Sequence, residues 1–193
     1  MYGDRYLPRK FKIGIVIPPN NDCDIFSQDL GFIAIAENGK IAGYNVVIGG
    51  GLGSTFGNAS TYPRTGNVIG FCLPDQVIEA DKQVLLAQRD NGNRQNRRQA
   101  RLKYTIDRMG LENFVAEVQS RLDFKIEKAR PFKFTRNGDN YGWLKGTDGK
   151  WHQTYFVEGG RVKNVGNKKL NIAVREVAAV LYTQLTLPTS PAV

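Results

Sequence analysis

Cysteine and histidine are scarce in this chain: 193 residues contain only Cys23, Cys72 and His152. The two cysteines stand far apart and form no CxxC pair, so this chain alone cannot supply the ligands of a zinc site or a cysteine-bound cluster. We expect two free thiols, as is usual in a reducing compartment. His152 lies in a strand-like run, where a packed or surface imidazole is common. No metal ligand is predicted.

Long apolar runs are also missing. No stretch reaches the roughly 20 apolar residues that a membrane-spanning helix needs, and no charged segment followed by an apolar one resembles a signal peptide at the start. We therefore expect a cytoplasmic protein without a membrane segment. The length and the 41% hydrophobic content are sufficient for one domain with its own core.

Acidic residues are outnumbered, 18 against 27 lysines and arginines, which leaves a net charge of +9. A basic chain attracts polyanions, acidic proteins or ligands rich in carboxylate or phosphate. The densest basic stretch surrounds the lone Asp90 and comprises Arg89, Arg94, Arg97, Arg98, Arg101 and Lys103. It fits a nucleic-acid surface, a solvated loop that leads into a helix, or a concave site for an acidic cofactor. Few aromatic residues are interleaved with it, which argues against stacking on nucleic-acid bases.

Strand patterns precede helix patterns in the first two thirds of the chain. A strand is predicted from Phe11 to Ile17, where Pro18 and Pro19 stop it. An antiparallel hairpin is predicted for residues 32–36 and 41–48, because an Asn-Gly pair between β-rich segments is a strong turn signal. Helices are predicted to begin at Pro74, near Arg97 and at Leu111, with ends near Met109 for the second and Leu122 for the third.

The last third returns to strands before a final helix. Residues 141–145 and 151–157 are separated by a turn-rich link and predict a second hairpin, and residues 172–181 predict the last helix. This order of elements predicts an α+β fold with a mixed β-sheet and helices packed on it. We expect one domain over residues 1–182 and a loose C-terminal tail over residues 183–193.

Two features of the sequence are candidates for binding an anion. Lys10 and Lys12 flank Phe11 in a strand-like segment, so their side chains should share one face. The pair could hold and protonate a small dianion, or it could simply protect an exposed sheet edge. The second feature is the run Gly49-Gly50-Gly51-Leu52-Gly53. It matches neither nucleotide-binding glycine motif, and it could be a wide turn or a loop that offers backbone amides to an anion.

Many short segments, in order, resemble the nitrite and sulfite reductase family, and within it the siroheme-containing hemoproteins of assimilatory sulfite reductases. The resemblance extends to about residue 181. The matching segments are residues 6–12, 17–19 with 21–22, 34–40, 49–52, 57–58, 61–62, 88–90, 92–94, 103–105 and 142–146.

The resemblance implies roles for particular residues. Lys10 and Lys12 match two lysines that neutralise bound sulfite and help to deliver protons, and Arg9 matches a residue that contacts the macrocycle. A positive field and a proton supply suit the removal of oxygen from sulfite as water. Related nitrite reductases carry Asn in place of Lys12, which favours sulfite over nitrite.

The remaining implied site residues would contact siroheme itself. Asn21 and the loop Gly49, Gly50 and Gly51 would approach the macrocycle closely. Arg101 and Lys103 would pair with its carboxylates, as charge-assisted hydrogen bonds are strong.

The resemblance also implies a larger parent protein. The cluster-binding cysteines of the family lie in a later segment, and further active-site arginines lie in an earlier one. The parent would reduce sulfite with siroheme, a 4Fe-4S cluster and electrons from a flavoprotein or ferredoxin. This chain is expected to be an inactive fragment that binds neither cofactor. The alternatives are a nitrite reductase fragment, a basic module for nucleic acid or another anion, and a ligand-free domain.

Overall fold

The computed structural model describes residues 3–184. The chain forms two compact units, Met1–Asp139 and Asn140–Val193, and each unit combines strands with helices. The predicted α+β class is therefore confirmed. The predicted boundary of a single domain at residue 182 stays a prediction.

The first unit is built on a four-stranded mixed sheet in the order β1-β3-β4-β5. Its strands are β1 Ile13–Val16, β3 Leu30–Glu37, β4 Lys40–Ile48 and β5 Asn67–Cys72. The β3–β4 hairpin is confirmed, and Asn38 and Gly39 take the positive φ angles of 53° and 74° that its tight turn requires. β1 pairs with β3 in parallel, and β5 pairs with β4 antiparallel.

Three helices cover one face of this sheet. They are α1 Val77–Asn91, α2 Leu102–Met109 and α3 Leu111–Gln119, and single 3-10 turns precede α1 at Pro74–Gln76 and α2 at Arg97–Gln99. The predicted end of the second helix at Met109 is confirmed. Its predicted start near Arg97 is wrong, because a 3-10 turn occupies residues 97–99 and the α-helix begins at Leu102. Buried residues of the sheet and helices, among them Phe32, Ile106 and Phe114, form the main core.

The other face of the sheet carries a smaller core of Val16, Ile25, Ile33 and Val47. Phe132 and Phe134 pack against it from the segment that follows α3. A short parallel pair beside it joins β2 Asn20–Asn21 to β6 Arg136–Asn137.

One buried side chain fastens this later segment to the sheet. The Asn45 amide donates to the Arg130 carbonyl at 2.7 Å, and the Arg130 N–H donates to the Asn45 side-chain oxygen at 2.9 Å.

The second unit contains the predicted hairpin, β7 Gly142–Lys145 with β8 Trp151–Thr154. The hairpin is followed along the chain by the short strands β9 Asn164–Val165 and β10 Lys168–Lys169, and then by α4 Leu170–Gln184. The predicted last helix is thus confirmed with wider bounds. Residues 183–184 of the predicted tail belong to α4, and residues 185–193 lie outside the described residues.

Within residues 3–184, no helix combines the length and the apolar character needed to cross a bilayer.

Candidate functional site

A basic cavity of about 430 Å³ lies in the first unit. Its lining contains six cationic side chains and no acidic one. The cations are Arg9, Lys10, Arg97, Arg98, Arg101 and Lys103, and the other lining residues are Gly53, Ser54, Thr55, Thr61 and Tyr104. A concave surface with charges of one sign concentrates the field and attracts anions. The cavity is therefore a candidate anion site.

Three segments that are distant in sequence supply this lining, namely residues 9–10, 53–61 and 97–104. Arg9 and Lys10 precede β1, Arg97 and Arg98 lie in the 3-10 turn, and Arg101 caps α2. The Asn96 side chain accepts a hydrogen bond from the Arg98 N–H at 3.1 Å and so stabilises the start of the 3-10 turn.

The basic stretch and the N-terminal segment are also joined outside the cavity. The guanidinium of Arg94 donates to the Tyr6 carbonyl at 2.7 Å. Arg89 instead forms an ion pair with Asp90, with 2.8 Å between Nε and Oδ1. Arg94 and Arg89 therefore bind other residues of the protein, and neither lines the cavity.

We name Arg9, Lys10, Arg97 and Arg98 the rim of the cavity. Within the described part of the chain, none of these four side chains makes an ion pair or a hydrogen bond. Lys10, Arg97 and Arg98 are exposed, and Arg9 is half-buried. Their charges are therefore available to an anion.

We name Arg101, Lys103 and the carboxylate of Asp29 the floor. Asp29 is fully buried, and Arg101 binds it with two hydrogen bonds, Nε to Oδ1 at 3.0 Å and Nη2 to Oδ2 at 2.7 Å. The backbone N–H of Lys12 donates to the same Oδ2 at 2.9 Å. A buried carboxylate needs such partners, because an uncompensated charge in the interior is strongly destabilising.

Lys103 is almost completely buried, with 1% exposure. Its ammonium donates to the carbonyls of Gly51 at 2.9 Å, Gly53 at 2.8 Å and Tyr62. The ammonium also lies 4.8 Å from the centre of the Tyr104 ring. Burial, and then the neighbouring charge of Arg101, lower the pKa of Lys103 from its ordinary value.

The glycine loop is packed against the protein at its start. The N–H groups of Gly49, Gly50 and Gly51 donate to the carbonyls of Asp29, Gln28 and Arg64 at 2.8–2.9 Å. Of the two alternatives for this run, a loop that offers these three amides to an anion is disfavoured, since each amide already has a protein acceptor. A side chain on Gly50 would place its Cβ 2.2 Å from the Phe26 carbonyl oxygen, so this glycine is needed for packing.

Two other candidates, Asn21 and Lys12, lie outside the cavity lining. Asn21 is buried, and its side-chain oxygen accepts from the Ile25 N–H at 2.8 Å. Lys12 is exposed but does not line the cavity. It precedes β1, which begins at Ile13, so the predicted start of this strand at Phe11 is wrong. Phe11 nevertheless packs on the main core between the two exposed lysines.

The cavity thus contains Arg9, Lys10, Arg101 and Lys103 of the predicted site, while Gly51 borders it through its bond to Lys103. Sequence reasoning missed Asp29 and assigned no role to Arg97 and Arg98 individually. The signal for Asp29 was available, because this acid directly precedes the apolar strand β3.

Both cysteines are free thiols in the structure. Cys72 is buried, and burial raises the pKa of its thiol to about 11. Burial also raises the pKa of Cys23. In the described part of the chain, no three His, Cys, Asp or Glu side chains are grouped as a metal site would require.

A comparison with protein families matches residues 1–126 to the nitrite and sulphite reductase 4Fe-4S domain. Among curated proteins, the sulfite reductase [NADPH] hemoprotein beta-component of Geobacillus kaustophilus is 57% identical over 180 residues. This match covers 93% of the chain and 31% of the relative. The Bacillus subtilis protein of the same name is 55% identical, with 93% and 32% covered. The chain spans about a third of the length of these relatives.

A solved structure, that of the Mycobacterium tuberculosis NirA protein, is similar with a TM-score of 0.63 and 24% sequence identity. The similarity covers 76% of this chain and 26% of that one. It supports the fold.

Proposed function

The chain belongs to the nitrite and sulphite reductase 4Fe-4S domain family. From this membership we propose that it is part of a sulfite reductase hemoprotein. We propose further that the basic cavity holds part of the siroheme of that protein. The observation that carries the proposal is the rim, four cations around one concave surface that have no ion-pair or hydrogen-bond partner for their side chains among residues 3–184. The names of the relatives support sulfite reduction by the whole protein.

The residues of the cavity fit an acidic tetrapyrrole. Siroheme bears several carboxylates, and a lining of cations without an acidic residue suits such a ligand electrostatically. The three arginines of the rim would bind these carboxylates directly. Arg101 can contribute only the N–H groups that Asp29 does not occupy, and Lys103 has no unused donor.

Lys10 and Lys12 are the residues that we propose to face sulfite. Both ammonium groups are exposed, so they could neutralise a dianion and donate protons to its oxygen atoms. When bound, siroheme would supply the iron at which sulfite is reduced. The preference for sulfite over nitrite rests on Lys12.

The 4Fe-4S cluster does not fit this chain by itself. Only two cysteines are present, and the pKa of the buried Cys72 is raised to about 11, which disfavours the thiolate that a cluster needs. We therefore propose that the remainder of the hemoprotein supplies the cluster, that a flavoprotein supplies electrons from NADPH, and that the protein acts in the cytoplasm. The chain alone is not expected to reduce sulfite.

The test is an equilibrium titration of the purified chain with uroporphyrin, an octacarboxylate tetrapyrrole, followed by absorbance and fluorescence. The double variant Arg97→Gln with Arg98→Gln should bind about tenfold more weakly, since each exposed ion pair contributes up to about 1 kcal/mol. Binding should also weaken as salt is added.

A matched double variant provides the control. Lys40→Gln with Lys128→Gln removes two exposed positive charges that do not line the cavity, and its affinity should stay close to that of the unmodified chain. Equal losses in the two double variants would show that only net charge matters and would contradict the proposed site.

A further inference from the structure

A buried ammonium binds both ends of the loop that forms one wall of the basic cavity. The loop spans residues 51–62, and Ser54, Thr55 and Thr61 are its lining side chains. Lys103 binds the carbonyls of Gly51 and Gly53 where the chain enters the loop, and the carbonyl of Tyr62 where it leaves.

Few other contacts tie the loop to the rest of the first unit. Gly51 and Arg64 exchange two backbone hydrogen bonds of 2.8 and 3.0 Å, and the Tyr62 hydroxyl donates to Asp107 at 2.8 Å. These contacts lie at the ends of the loop. Within it, the Thr61 hydroxyl accepts from the Thr55 N–H at 2.7 Å, and the Asn58 N–H donates to the Thr55 carbonyl at 3.0 Å. The Gln99 amide donates to the Ser60 carbonyl at 3.1 Å. Lys103 makes the buried connection, because its side chain reaches the loop from the first turn of α2.

All three N–H bonds of the ammonium are used by neutral carbonyl oxygens. A lysine ammonium has three donors and no acceptor, so Lys103 has none left for a ligand carboxylate. Within residues 3–184, no carboxylate forms an ion pair with Lys103, so its charge is not neutralised by direct contact. The residue can therefore act on an anion through its field and through the wall that it holds.

We infer that Lys103 is a positioning residue that holds loop 51–62 as a preformed wall of the cavity, and that it does not bind the acidic ligand directly. The inference rests on the proposed function for the identity of that ligand. The holding of the loop is a property of the free protein and can be measured without any ligand.

The first experiment is hydrogen–deuterium exchange on the full chain. In Lys103→Met, the amides of residues 51–62 should exchange about tenfold faster, while those at the centre of the β3–β4 hairpin keep their rates. Lys10→Met is the matched control, because it removes one charge from the same cavity and no hydrogen bond. It should leave the loop amides unchanged. Unaltered loop exchange in Lys103→Met would overturn the inference.

The second experiment adds uroporphyrin. Both variants lose one positive charge, so the salt dependence of uroporphyrin binding should decrease equally in the two. Lys103→Met should lose more affinity than Lys10→Met, because loop 51–62 is then no longer held in place. Equal affinity losses would contradict a positioning role. If the unmodified chain does not bind uroporphyrin, the proposed function fails, and the exchange experiment still decides whether Lys103 holds the loop.

A third measurement uses the unmodified chain, in case Lys103→Met does not fold. With lysine labelled by ¹⁵N, the ammonium protons of Lys103 should exchange slowly enough to be observed, unlike those of Lys10 and Lys12. Uroporphyrin should shift the Lys103 ammonium signal less than the Lys10 signal. A rapidly exchanging Lys103 ammonium, or one that shifts more than Lys10, would overturn the inference.

Discussion

The floor and the rim of the basic cavity both carry positive charge, but they differ in what surrounds that charge. On the floor, Arg101 is bound by a buried carboxylate and Lys103 by three carbonyls. On the rim, Arg97 and Arg98 have no protein partner among the described residues. The difference indicates that the floor maintains the shape of the cavity and that the rim is free to bind a ligand. Substitutions on the floor should therefore reduce stability, and those on the rim should reduce affinity.

The largest effect is expected from Asp29→Asn, which removes the charge that compensates Arg101. Loss of one partner of a buried pair costs about 3–5 kcal/mol, and the free energy of unfolding should fall by that amount in urea titrations followed by circular dichroism. Glu37→Gln, at the exposed pair with Arg130, is the matched control and should cost less than about 1 kcal/mol. Similar losses in both variants would contradict a structural floor.

The glycine loop beside the floor should give the next largest effect. Gly50→Ala forces a Cβ to within 2.2 Å of a backbone oxygen and should lower the free energy of unfolding by about 1–3 kcal/mol. In Gly51→Ala, the Cβ would be 3.3 Å from the Lys103 side chain, which can adjust. The free energy of unfolding of this variant should therefore change by less than about 0.5 kcal/mol. Urea titrations of both variants provide the measurement. Equal sensitivity of the two positions would show that the loop is not packed as described.

A direct comparison of two arginines tests the distinction itself. Arg98→Gln should change the free energy of unfolding by less than about 0.5 kcal/mol and weaken uroporphyrin binding about threefold to fivefold. Arg101→Gln should instead lower stability as well, because it leaves Asp29 buried without its cation. Urea titrations and uroporphyrin titrations on the same samples separate the two effects. A loss of stability in Arg98→Gln would contradict the assignment of Arg98 to the rim, because it would show that its side chain makes a structural contact.

The smallest effect is expected at alkaline pH beside the floor. The hydrogen bond from the Tyr62 hydroxyl to Asp107, followed by desolvation, raises the pKa of Tyr62 from 10.0 to about 12. The folded state thus favours the neutral phenol. The stability that Tyr62 contributes should be complete below pH 10 and should be lost as the pH rises towards 12.

The corresponding measurement compares the unmodified chain with Tyr62→Phe. The absorbance of tyrosinate at about 295 nm should show a step near pH 12 that the variant lacks, and the difference in urea midpoint between the two proteins should shrink between pH 10 and pH 12. A Tyr62 that ionises near pH 10 would contradict the hydrogen bond to Asp107.

Local patterns in the sequence were sufficient for the elements whose contacts are local. The β3–β4 hairpin was predicted because its turn residues, Asn38 and Gly39, determine the pairing of the strands beside them. β5 was not predicted, since it pairs with β4 across the long loop that contains Gly51 and Tyr62. The parallel pairing of β1 with β3 was also missed, because no short turn encodes a parallel pair.

The same limit applies to the site. The resemblance identified Arg9, Lys10, Arg101 and Lys103, which the structure brings to one cavity. It could not show that Arg101 is occupied by Asp29, because those residues are 72 positions apart. A sequence pattern gives residue types and spacing, whereas the partners of a charge depend on the tertiary fold.

Asn45 has a consequence for the order in which the first unit can assemble. Its side chain exchanges two hydrogen bonds with the backbone of Arg130, 85 residues further along the chain. Closing a loop of that length carries an entropic cost before any contact stabilises it, and such long-range pairings slow folding. During synthesis, the sheet and helices can form first, and the buried amide of Asn45 obtains its partners only after residue 130 has left the ribosome.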